Sequence, residues 1–181
     1  MKMRALFSLT AAFALVVAAP GMAANSKVKA QPGVYDPDAT GIVVADWEGG
    51  LGLPELGSSG NQALVLQKNG PTETNAAAGA EIFGFAGQTV SELGFDYKSD
   101  GHCSGGSPRF NVQTTDGFYF VGGCGNATPT DIGNGWSEVR FDTSQITGTI
   151  QYVEVIADEQ GQSVLDNIDV NGTLIGRAGN L

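Results

Sequence analysis

The chain has 181 residues with 9 basic and 19 acidic side chains, a net charge of −10 at a charged fraction of only 15%. That balance excludes a nucleic-acid binder, which needs a basic face to neutralise phosphates, and the composition excludes a coiled coil rich in Ala, Glu, Lys, Leu and Arg. A hydrophobic share of 41% argues for a folded core rather than a disordered chain, and 27 glycines suit a protein with many tight turns.

Residues 1–24 read as a signal peptide. Lys2 and Arg4 give a positive start, Ala5 to Val17 an apolar run, and Gly21-Met22-Ala23 small residues at a peptidase site. The run is short of the roughly 20 residues that a membrane span needs. The expected destination is outside the cell or a periplasm, with no membrane association after cleavage. Removal of the signal leaves 7 basic against 19 acidic residues, a net −12, which repels nucleic acid and anionic membrane and tolerates cations.

Residues 25–40, with Pro32, Gly33 and Pro37, read as a flexible lead-in. From Gly41 to Leu181 the pattern predicts one all-β domain, an antiparallel β-sandwich of jelly-roll type. Short apolar or alternating runs recur at 42–45, 63–66, 93–97, 109–113, 118–121, 138–142, 152–157 and 164–170, and Gly, Asn, Asp and Ser clusters separate them. Thr114-Thr115-Asp116-Gly117 suggests a type I turn with a left-handed glycine, and Asn171-Gly172 a two-residue hairpin whose residues both need positive φ. In an oxidising compartment Cys103 and Cys124 predict one disulfide. Closing a loop of about 22 residues stabilises by about 3 kcal/mol.

Catalytic signatures are absent. No serine has glycines two residues before and after it. The lone His102 lacks the partners of a zinc site. Asp36-Pro37-Asp38-Ala39-Thr40-Gly41 follows half of an EF-hand loop, but Trp47 stands where the bidentate glutamate belongs, so it reads as a polar turn. Strand alternation puts Asp166 on one face with Val164, Ile168 and Val170. A carboxylate on so apolar a face demands an arginine, backbone donors or a cation. The early strand poses the same question, since Ile42 and Val44 share a parity with Asp46 and Glu48.

Three segments carry a resemblance: Asp46-Trp47-Glu48-Gly49-Gly50, Gly87 to Tyr97, and Leu165-Asp166-Asn167-Ile168-Asp169-Val170. Over residues 41–170 the chain resembles the galactose-binding-like jelly roll used by many carbohydrate-binding modules. The resemblance implies a structural calcium between the first-strand glutamate and the last-strand aspartate, which would be Glu48 and Asp166. It implies carbohydrate binding, although the fold also serves exported adhesion proteins. Sugar recognition needs an exposed aromatic plane with amides, carboxylates or arginine beside it. Trp136 and Tyr119 are the candidate platforms, and Arg109, Asn111 and Gln113 form a polar stripe on one strand face.

The expectation is a secreted, non-enzymatic module for a polysaccharide, a cell-surface glycan or another extracellular polymer. The alternatives are an exported structural or adhesion protein and a glycan hydrolase, which needs two carboxylates about 5–10 Å apart across a cleft. Asn126-Ala127-Thr128 and Asn171-Gly172-Thr173 are glycan acceptor sequences where the host glycosylates.

Overall fold

A computed structural model describes residues 27–53 and 61–176. Residues 1–24, read from the sequence as a signal peptide, lie outside these residues. The chain forms two antiparallel sheets packed face to face, a β-sandwich as expected. One sheet carries strands β1 (Lys29–Tyr35), β4 (Ala77–Phe83), β10 (Ile150–Ala157), β6 (Arg109–Thr114) and β7 (Phe118–Gly122), in that order. The other runs β2 (Val43–Gly49), β3 (Gln62–Lys68), β11 (Gly161–Val170), β5 (Leu93–Lys98), β9 (Trp136–Arg140) and β8 (Thr130–Gly133), with β12 (Thr173–Ile175) paired to β11. We call them the groove sheet and the covered sheet.

Alternation builds the core between the layers. Leu64 and Leu66 of β3, Leu93 and Phe95 of β5, Phe110 and Val112 of β6, and Val153 and Val155 of β10 point inward and are fully buried. Phe95, Phe110 and Phe141 pack edge to face or tilted at 5.4–5.9 Å between centroids, the preferred geometry for ring quadrupoles. Cys103 and Cys124 are disulfide-bonded, with Cα atoms 5.4 Å apart. Their bond ties the loop before β6 to the 3-10 turn after β7.

The lead-in reading is corrected over Lys29–Tyr35, which form edge strand β1 paired with β4 from Ala77 to Phe83. Ala30 is buried, and its carbonyl accepts the indole N–H of Trp47 at 3.1 Å, a bond that joins the two sheets. Pro32 is tolerated because an edge strand leaves half of its backbone donors unpaired. The turn at Asp36 is a polar turn as read: its carboxylate accepts the N–H groups of Thr40 and Gly41 and the Thr40 hydroxyl. Asn171 and Gly172 have φ of 56° and 77° and close the β11–β12 hairpin. Gly117, by contrast, does not adopt the left-handed conformation expected for it.

Lys68 continues the inward parity of Leu64 and Leu66, yet it is almost wholly buried. Its ammonium donates to the carbonyls of Thr72, Thr74 and Asp158 at 3.1, 2.6 and 2.9 Å. Three acceptors offset the desolvation of one charge. They also fix the backbone of Asp158, which borders the candidate site.

Candidate binding face

The outer surface of the groove sheet carries the polar stripe expected of a site, but neither of the expected aromatic residues. Arg109, Asn111 and Gln113 share its outward parity on β6. Across the ladder they meet Gly122, Phe120 and Phe118 of β7 on one side, and Ile156, Glu154 and Tyr152 of β10 on the other. The stripe read from the sequence therefore lies in the middle of a wider face.

Each member of the stripe is held. Arg109 makes a two-bond fork to Asp158, at 2.8 and 2.7 Å, and donates to Asn111 Oδ1 and the Gly106 carbonyl. Asn111 donates to Glu154 Oε1 at 2.7 Å, and the Tyr152 hydroxyl donates to Glu154 Oε2 at 2.6 Å. Burial, then the neighbouring Glu154 and Glu81 carboxylates, pushes the Tyr152 phenol above its ordinary range. It stays protonated and donating at neutral pH. Gln113 is bonded to the carbonyls of Thr114 and Gly117 and serves the β6–β7 turn. Such internal networks fix side-chain geometry before any ligand arrives.

The aromatic platform is not the one expected. Tyr119 turns back toward the core, where it packs, and its hydroxyl lies 3.1 Å from Thr147 Oγ1. Phe118 and Phe120 face solvent instead, 48% and 69% exposed. The alternation is as expected, but the faces are interchanged, because Val121 takes the inward parity. The two rings form an edge-to-face pair at 5.0 Å, and the Arg109 guanidinium lies 5.4 Å from the Phe120 centroid, within reach of a cation–π attraction. Trp136 is also displaced from its expected role. It is 3% exposed and packs on the outer side of the other sheet with Ala63, Val65 and Val164. It offers no plane to a sugar.

Toward β1 the groove sheet sinks into a cavity of about 380 Å³. Gly33, Ala77, Gly79 and Ile156 form its floor, and Tyr35, Tyr152, Glu81 and Glu154 border it. A second cavity of about 510 Å³ continues past Tyr35 and Ile156 to Thr72–Asn75, Arg109 and Asp158. Glu81 and Glu154 are direct cross-strand partners.

The two residues expected to hold calcium lie two strands apart in the covered sheet. Glu48 is exposed on β2 and pairs with Ala63, and β3 separates it from Asp166 on β11. Two strand spacings put the backbones about 10 Å apart. Asp166 is fully buried, and backbone donors compensate it: Leu53 N–H and Asn167 N–H each donate at 2.7 Å. Among the described residues no three His, Cys, Asp or Glu side chains form a group able to hold a metal.

The face on which Asp166 sits is also corrected. A bulge between Asp166 and Asp169, with Asn167 at φ 45°, inserts one residue and reverses the parity. Asp166 and Val164 point outward, whereas Ile168 and Val170 point into the core.

Three comparisons with known proteins, against family models, curated proteins and solved structures, find no match.

Proposed function

We propose that the protein is a secreted, non-catalytic module of jelly-roll type that binds a carbohydrate or another extracellular polymer on the outer face of the groove sheet. One observation carries the reading. Phe120 stands 69% exposed beside a polar row whose geometry is fixed by internal bonds. Paired exposed rings have an unfavourable contact with water, and a flat hydroxylated ring with apolar C–H faces would relieve it.

Further features support the remaining parts of the proposal. Strand order 3-11-5-9 in one sheet and 4-10-6-7 in the other supports the jelly-roll part of the reading. The disulfide suits an oxidising compartment. No helix among the described residues is long and apolar enough to cross a membrane.

Depletion from solution by insoluble cellulose, chitin, chitosan, xylan and mannan tests the reading. At least one polymer should retain the protein. Phe120→Ala should weaken retention about tenfold, the loss of one good stacking contact, with no change in melting temperature. Retention by none of the polymers would favour the exported structural or adhesion protein.

A second reading, a glycan hydrolase, takes its motive from two carboxylates, Glu81 and Glu154, that border one cavity from adjacent strands; cleavage needs them to flank the scissile bond. Release of reducing ends from the same polymers would establish it.

A further inference from the structure

The cavity beside β1 has a chemistry that the polar row does not explain. Its walls and floor are largely apolar or glycine, and its two charged residues, Glu81 and Glu154, carry the same sign. They are direct partners on adjacent strands, an arrangement that costs stability when both are ionised. Among the described residues Glu154 is oriented only by neutral donors, the Asn111 amide and the Tyr152 phenol. Glu81 accepts no hydrogen bond and makes no ion pair among the described residues.

Among the described residues the nearby cations are committed elsewhere. Arg109 is forked to Asp158, and Lys29 is bonded to Gln31 and lies 4.9 Å from the Phe83 ring centroid. The groove therefore presents uncompensated negative charge at the foot of an aromatic wall. Charge complementarity calls for a cationic occupant with an apolar face.

We infer that the groove over Gly33 and Gly79 takes an amine-bearing saccharide chain, with the Glu81–Glu154 pair receiving a sugar ammonium and Tyr35 and Tyr152 flanking the ring. The inference rests on the binding reading above and names its ligand class. The groove continues along the sheet past Tyr35 toward Thr72–Asn75, which suits an extended chain rather than a single residue. An acidic polysaccharide is disfavoured by the same two carboxylates.

The test is a titration with the hexamer of β-1,4-linked glucosamine, at mildly acid pH where its amines are protonated. The fully N-acetylated hexamer is the comparison. The glucosamine hexamer should bind at least about tenfold more tightly, the equivalent of one charge-assisted contact, and added salt should weaken it. Glu81→Gln and Glu154→Gln should each erase the preference. Gly33→Leu supplies an independent variant. A Cβ at Gly33 meets no atom within 4 Å and its φ is ordinary, so the side chain should fill the groove, leave the fold intact and abolish binding.

Equal binding of the two hexamers would overturn the inference and leave the binding face standing. So would a preference that survives both glutamine variants, or one that survives Gly33→Leu. Reducing ends released from the hexamer would overturn it by giving the glutamates a chemical role. Binding to neither hexamer, with retention on another polymer, would overturn the ligand class alone, and retention on no polymer would overturn both.

Discussion

The two outer faces of this sandwich use acidic residues in opposite ways. On the covered sheet, Asp166, Asp96 and Asp169 are buried beneath neighbouring structure. Asp166 binds backbone N–H groups, Asp96 accepts from Asn167 Nδ2 at 2.7 Å, and Asp169 lies 3.4 Å from Arg140 Nε. Leu51 and Leu53 lie over Ala63, Val65, Trp136 and Val164 and seal the surface. On the groove sheet no segment among the described residues plays that part, and Glu81 and Glu154 border an open cavity. The contrast shows that acid content does not mark a site. What differs is burial: the covered aspartates lie beneath neighbouring structure, whereas Glu81, which has no hydrogen bond or ion pair among the described residues, stands at an open cavity.

The largest effect that sharpens this contrast belongs to Trp136. Trp136→Ala should cost about 3–5 kcal/mol in urea or thermal unfolding and leave polymer retention by the folded fraction unchanged. Loss of retention in a fully folded variant would return this residue to the binding site. Asp166→Ala comes next. It strips the acceptor from Leu53 N–H and Asn167 N–H and should cost about 2 kcal/mol. It should also speed amide exchange at Leu53, read by hydrogen–deuterium exchange.

A smaller effect has the opposite sign. Burial raises the Asp96 carboxyl above its ordinary range, and Asn167 and Arg140 oppose that shift only in part. Its Oδ1 is buried without a hydrogen-bond partner among the described residues. Burial raises Asp169 likewise, with Glu92 adding to the shift and Arg140 opposing it. A raised folded-state value means that this contribution to stability is complete below the unfolded aspartate range, about 3.9. It is lost as pH climbs through the elevated folded value. Asp96→Asn keeps an acceptor for Asn167 and removes the loss. It should stabilise the protein by about 1 kcal/mol at neutral pH and flatten the melting temperature between mildly acid and neutral pH. A destabilised variant would show that the charged form is the one the fold prefers. The smallest effect expected is none: with Asp166 already bonded to two backbone N–H groups, a chelator should leave the melting temperature unchanged, and a lowered value would restore the calcium expectation.

The strands that form the core were legible because large apolar side chains alternate along them, as in Leu93-Gly94-Phe95-Asp96-Tyr97 and Phe110-Asn111-Val112. The strands that floor the groove were not. β4 reads Ala77-Ala78-Gly79-Ala80, and β1 contains Pro32 and Gly33. A cavity on a sheet face is made by omitting side chains, so its strands lose the pattern by which strands are recognised. Of the expected site residues, Arg109 and Asn111 belong to the face, and Gln113 supports its turn. The run Phe118-Tyr119-Phe120-Val121 is apolar at every position, so parity alone could not say which side faces water. The Asp166 face failed for a local reason: one left-handed asparagine shifts the register, and alternation carries no sign of it.

The central claim is that ligand meets the groove sheet and not the covered one. Backbone amide shifts followed by NMR during titration with the glucosamine hexamer test it directly. The account predicts changes concentrated at Gly33, Gly79, Glu81, Asn111, Phe120 and Glu154. Changes centred on Leu51, Leu53, Asp96 and Trp136, with the groove residues unmoved, would contradict it.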